Sequence, residues 1–163
     1  VTPNVNGDFH AKTQGIVQVP NFGQYPIQFA TEIYDNANTW NTQNSIYVAP
    51  ETANVTFDVE VGYTAFRNVT QPSPDVTTRI TKNGIPVQTN TYSFPVGVGY
   101  ASYTEDFGGP VTISVNKGDK IQFTTQWTSA GGPQYYDGSS RVISTGNALT
   151  VSANTLVIDL FDY

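Results

Sequence analysis

Cysteine and methionine are both absent from this 163-residue sequence, and histidine occurs once, as His10. Without cysteine there is no disulfide staple and no thiol nucleophile, and the redox compartment goes unmarked. With one histidine, a multi-histidine zinc site lacks its ligands. A Ser-His-Asp triad would have to recruit His10 from a leading segment with little alternation, outside the expected β-core. Charge is also scarce: Asp, Glu, Lys and Arg make up 12% of the chain, about half the usual ~25%. The seven basic residues are scattered and the net charge is −6. No basic stripe exists to neutralise a row of phosphates, so nucleic acid and anionic membranes are not expected partners. No apolar run approaches the ~20 residues of a membrane span. No glycine-rich phosphate loop opens a helix. The first residues, Val1 to Gly7, are polar and do not read as a secretory leader. Position 1 is not methionine, which is the mark of a removed initiator or of a mature or excised piece.

What is present is β-forming. Helix formers are few, whereas Val, Ile, Thr, Tyr and Phe dominate, with ten Tyr and nine Phe. Residues 55–63 alternate strictly: Val55, Phe57, Val59, Val61 and Tyr63 share one face, and Thr56, Asp58, Glu60 and Gly62 the other. Shorter runs are read as strands over 15–19, 27–34, 45–48, 76–81, 85–89, 111–115, 121–127, 141–144 and 156–161. Asn83-Gly84 between two of them is a hairpin signal, because both residue types tolerate positive φ. Gly118-Asp119 reads as another turn, with glycine supplying the left-handed backbone and aspartate accepting backbone hydrogen bonds. Nine or ten strands with turn signals every 8–15 residues predict an all-β sandwich or jelly roll. Parity places Phe57, Val59, Val61, Ile80, Ile121, Phe123 and Leu156 in the core. Loops are expected over 68–75, 95–100 and 129–140. Residues 1–20 read as an N-terminal arm and 21–163 as the jelly-roll domain.

Candidate sites are few. Trp127 with Tyr135, Tyr136 and Asp137 flanks the loop at 129–140. This group would suit sugar stacking; alternatively Trp127 is core and a tyrosine packs at a subunit seam. Asp35, Asn36 and Asn38 offer three oxygen-bearing side chains for calcium, but such side chains also cap turns. Calcium is the one cofactor the pattern admits. Glu105-Asp106 and Asp58/Glu60 are the carboxylate pairs to weigh for glycoside hydrolysis. The competing readings are a turn at Asp106 and a solvated strand face for Asp58 and Glu60.

Several segments resemble the C1q/TNF-like jelly-roll superfamily. Tyr34 to Asn41 resembles its polar stretch before the second strand. Ser45-Ile46-Tyr47-Val48-Ala49-Pro50 resembles the strand end that usually reads phenylalanine-threonine-alanine-proline, with Tyr47 and Val48 in the first two places. The glycine that usually follows is replaced by Glu51–Asn54. Lys82-Asn83-Gly84 and the Gly118-Asp119 segment match turns of the group, and residues 156–161 its closing strand. The resemblance implies a jelly-roll β-sandwich of the C1q/TNF-like type that packs as a homotrimer, and Tyr63, Tyr103 or Phe161 are expected near the seam. Domains of this kind occur in phage fibres, spikes and capsid decoration proteins. Without a collagen stalk, the sequence reads as a non-enzymatic trimeric virion surface protein that touches other virion proteins through the arm and engages a host glycan. The alternative is an extracellular carbohydrate-binding module, and a third reading is an inverting glycosidase.

Overall fold

The computed structural model describes residues 9–19, 23–35, 38–67, 74–127 and 134–146. Among them are thirteen strands. In chain order these are β1 (Phe9–Lys12), β2 (Val17–Val19), β3 (Gly23–Pro26), β4 (Thr31–Asp35), β5 (Trp40–Asn41), β6 (Ile46–Val48) and β7 (Ala53–Arg67). They continue with β8 (Asp75–Lys82), β9 (Ile85–Ser93), β10 (Gly99–Glu105), β11 (Val111–Val115), β12 (Lys120–Trp127) and β13 (Gln134–Gly146). Among the described residues no helix is long and apolar enough to cross a membrane.

The alternating stretch expected over 55–63 lies inside β7, the longest strand at 15 residues. Its inward positions Val55, Phe57, Val59, Val61 and Tyr63 are all buried, with Phe57, Val61 and Tyr63 fully so. β7 pairs antiparallel with β13 on one side and with β10 and β11 on the other. The first sheet runs β10-β7-β13-β1-β4, with β11 beside β7 and β2 beside β13. The second runs β5-β6-β12-β8-β9, with β3 beside β12. The two sheets face each other over one core, the arrangement that alternating strands require in order to bury one face each.

Two aromatic clusters fill that core. In one, Phe9 stacks on Trp40 with ring centroids 4.6 Å apart, and Phe57 meets Tyr47 edge-on at 5.2 Å and Phe123 at 5.8 Å. In the other, Trp127 stacks on Phe94 at 5.7 Å and takes Tyr63 edge-on at 5.7 Å. Phe57, Val59, Val61, Ile80, Ile121 and Phe123 lie in the core as parity indicated; Leu156 lies outside the described residues.

Four boundaries differ from the sequence reading. Residues 9–12, expected in a peripheral arm, form β1 between β13 and β4, and Phe9 and Ala11 are fully buried. Four residues are too short to display a period, so only their pairing reveals them. The run over 27–34 is broken: β3 belongs to the second sheet and β4 to the first, and residues 27–30 carry the chain across. Ile27 and Phe29 stay buried in the crossing, where Ile27 N–H donates to the Phe123 carbonyl at 2.8 Å. Gly99 and Tyr100, expected in a glycine-rich loop, open β10. Residues 134–140, also expected as loop, belong to β13, where pairing with β7, β1 and β2 overrides the weak strand preference of Asp137 and Gly138.

The Asn83-Gly84 hairpin is present. Lys82 pairs with Ile85, and Asn83 and Gly84 have φ of 53° and 82°, the two left-handed residues of a type I′ turn. Gly118 has φ of 89°, and Asp119 Oδ2 accepts from Asn116 N–H at 2.8 Å.

Candidate functional site

The aromatic group reads as a recognition surface or, alternatively, as a core Trp127 with a tyrosine at a subunit seam; in the structure Trp127 and Tyr136 are both core. Trp127 ends β12 with 2% of its surface exposed and Tyr136 lies in β13 with 3%. The Tyr136 ring contacts Tyr63 edge-on at 6.5 Å, and its hydroxyl accepts from the Gln28 N–H at 3.0 Å. Burial pushes the Tyr136 hydroxyl above its ordinary pKa. Neither ring can stack on a sugar, because neither face meets solvent. The pairing explains this: Tyr136 sits opposite Tyr63 in the inward-facing row of the first sheet. The side chains of Tyr135 and Asp137 lie outside the described residues. Tyr63, expected near a subunit seam, is also internal, and donates or accepts a 2.7 Å hydrogen bond with Thr78. Phe161 lies outside the described residues.

Asp35, the last residue of β4, acts as a cap. Its Oδ1 accepts from Thr39 N–H at 2.9 Å and from the Thr39 hydroxyl at 3.1 Å, and its Oδ2 accepts from Trp40 N–H at 2.8 Å. These bonds fold the connection from β4 to β5 and place Asn38 at φ 55°, a left-handed conformation that asparagine tolerates. Asn38 is exposed; Asn36 lies outside the described residues. Among the described residues no three His, Asp or Glu side chains gather as a metal-ligand set.

The fold separates Glu105 from Asp106. Glu105 is 3% exposed, whereas Asp106 is exposed. Glu105 Oε2 accepts from Asn90 Nδ2 at 3.1 Å and from Phe107 N–H at 2.8 Å, and Oε1 accepts from the Tyr103 hydroxyl at 3.2 Å. Tyr103 in turn stacks on Tyr92 at 3.8 Å. Its hydroxyl is pushed up to about 12, first by burial and then by the adjacent Glu105 carboxylate. Asp106 Oδ1 accepts from Gly108 N–H at 2.9 Å and holds a turn. One carboxylate faces in and the other out, so the pair cannot flank one bond. Asp58 and Glu60 are half-buried on the outward face of β7, a strand with neighbours on both sides. His10, expected outside the β-core, is buried in β1 and meets the Tyr34 ring edge-on at 5.9 Å.

No family model matches the sequence, and no curated protein matches it. Solved structures do match. Murine APRIL, in a crystal structure at pH 5.0, superposes with a TM-score of 0.53 at 11% identity, covering 83% of this chain and 98% of the other. Eiger TNF from S. frugiperda superposes with a TM-score of 0.50 at 12% identity, covering 91% of this chain and 97% of the other. The fold is a TNF/C1q-like jelly roll. At this identity the likeness carries the fold and leaves the site to be read from the side chains.

A cleft that the sequence did not mark opens on one flank of the jelly roll. It is a shallow, open depression of about 480 Å³ between β4 and the β5–β6 turn. Glu32, Asn38, Thr42 and Gln43 line it together with Trp40 and Val48. Of these only Asn38 carried a signal in the sequence, because Glu32 and Gln43 are surface residue types whose meeting depends on how the two sheets are brought edge to edge.

Proposed function

We propose that this chain forms a non-enzymatic homotrimer displayed on a virion surface, as a phage capsid decoration, head fibre or receptor-binding module. The observation that carries this reading is the jelly-roll likeness over most of the chain, since the group it resembles packs in threes. Exposed apolar residues support it: Val96, Ile85 and Val98 keep 82%, 68% and 66% of their surface, and Tyr100 keeps 58%. Such residues gain by burial against another subunit. The low charge content supports it too, because few ions have to be desolvated at an interface. The aromatic surplus does not, since Tyr63, Tyr136, Trp127 and Phe57 are used internally.

The absence of catalysis is supported by the carboxylates, since Glu105 is committed to three donors and Asp106 to a turn. Contacts with other virion proteins are assigned to the N-terminal arm read over residues 1–20, of which Phe9–Lys12 is built into the first sheet as β1. A virion location suits a surface dominated by Asn, Gln, Ser and Thr, which is solvated and only weakly repulsive in crowded arrays.

Sedimentation equilibrium at micromolar concentration tests the assembly. A species of three 17.7 kDa protomers is expected, and a 17.7 kDa monomer overturns the trimer. Immunogold imaging of purified particles then tests the location, and absence of label overturns it.

A further inference from the structure

We propose that the cleft between β4 and the β5–β6 turn is a binding site for a neutral saccharide. Among the described residues β4 pairs only with β1 and β5 only with β6, and Glu32 of the one edge shares the cleft with Thr42 and Gln43 beyond the other. The space of about 480 Å³ lies within the usual ~300–1,000 Å³ of small-molecule sites.

The walls are held in place before any ligand arrives. Asp35 caps the β4–β5 connection with the three bonds to Thr39 and Trp40. Asn41 Oδ1 accepts from Gln43 N–H at 2.9 Å and Asn44 N–H at 3.3 Å, which fixes the β5–β6 turn. Val48 N–H donates to the Thr39 carbonyl at 2.8 Å, and the Trp40 indole N–H donates to the Phe29 carbonyl at 3.0 Å. A site whose backbone is already ordered loses less entropy when it is filled.

The lining chemistry selects the ligand class. The Asn38 and Gln43 amides each offer a donor and an acceptor, Thr42 offers a hydroxyl, and the Glu32 carboxylate accepts from a pair of neighbouring hydroxyls. Glu32, Asn38 and Gln43 are exposed and line the cleft, and the exposed Val48 in the same lining offers an apolar surface for a C–H face. A polyol with one C–H face satisfies both parts. An anionic sugar would meet Glu32 and a chain of net charge −6. An apolar ligand would cover the amides without bonding them, which is unfavourable.

The inference rests on the cleft and not on assembly, so a monomer in sedimentation would leave it intact, and a silent cleft would leave the trimer intact. The test is an NMR titration of the full chain with lactose, methyl α-mannoside and N,N′-diacetylchitobiose, beside sialyllactose and calcium chloride. At least one neutral sugar is expected to move the side-chain amide signals of Asn38 and Gln43. Gln43→Ala and Glu32→Gln, both at exposed positions, are expected to weaken that binding about tenfold or more while leaving the rest of the spectrum in place. The proposal is overturned if no neutral probe moves these signals at about 10 mM. It is likewise overturned if sialyllactose binds as well as the neutral sugars, if calcium alone produces the shifts, or if both variants bind like the parent.

Discussion

Asn83 Nδ2 donates to Asp119 Oδ1 across 2.9 Å, joining two turns that lie 36 residues apart in the chain. The bond does not stand alone. Asn83 Oδ1 accepts from Lys120 N–H at 2.9 Å, and Asn83 N–H donates to the Lys120 carbonyl at 2.8 Å. Beside them, Gly118 N–H donates to the Ala49 carbonyl at 2.8 Å and Ala49 N–H to the Asp119 carbonyl at 2.9 Å. Three connections are thereby tied together at one end of the sandwich.

Asp119 should make stability sensitive to acid. Bonds from Asn116 N–H and then from the Asn83 amide hold its carboxyl below the ordinary 3.8. A depressed folded pKa contributes stability that is present above the unfolded value and is lost as pH falls through the folded one. Melting curves should therefore decline below about pH 4 in the parent. Asp119→Asn should melt lower at neutral pH, since one amide N–H would face another donor, and should show a flatter acid limb. An unchanged acid limb in the variant would assign the effect to other carboxyls.

Substitution of Gly84 should cost backbone strain alone. Its φ is 82°, and a Cβ placed there meets no atom within 4 Å. Gly84→Ala should lose about 1–2 kcal/mol in urea unfolding, Gly84→Val more, and Gly84→Asn least. Equal losses for all three would mean that the left-handed conformation is not what the turn requires.

Tyr47→Phe should leave stability unchanged or raise it by up to about 1–3 kcal/mol, because the buried Tyr47 hydroxyl has no hydrogen-bond partner among the described residues. Burial, and then the Asp35 and Glu51 carboxylates, push this hydroxyl well above its ordinary pKa of 10.0. A raised folded pKa gives stability that is full below the unfolded value and is lost as pH rises through the folded one. The variant should therefore resist alkaline unfolding above about pH 10 better than the parent. A destabilised variant would point to a partner for the hydroxyl.

Phe57→Ala should cost about 3–5 kcal/mol by chemical denaturation. Phe57 is fully buried and touches Phe9, Tyr47 and Phe123. A loss below about 1 kcal/mol would show that the core closes over the space.

Legibility followed the range over which each feature is encoded. β7 could be read directly because its period-2 pattern runs unbroken through Val55, Phe57, Val59, Val61 and Tyr63. β1 could not, because Phe9–Lys12 is only 4 residues, two turns of the alternation, and is recognised by its partners Arg141 and Tyr34. The strand at Gln134–Gly146 was obscured by Asp137 and Gly138, residues that weaken an isolated strand and are tolerated where they pair with Gly62 and Val61 of β7. Trp127 reads equally as sugar platform or core and Tyr136 as sugar platform or subunit seam, since an aromatic beside a loop signals nothing about the sheet that covers it.

The sequence by itself determined the all-β class, the inward face of β7 and the Asn83-Gly84 turn. Each of these depends on neighbouring residues: side chains alternate every two positions, and positive φ is a property of single residues. Only the tertiary structure decided that Phe9 lies between two sheets, that Trp127 and Tyr136 are internal, and that Glu32 and Gln43 share a cleft. Those facts depend on contacts such as the Gln28–Tyr136 hydrogen bond, which spans 108 residues. Burial is set by the partner that arrives from a distant part of the chain, and no local pattern names that partner.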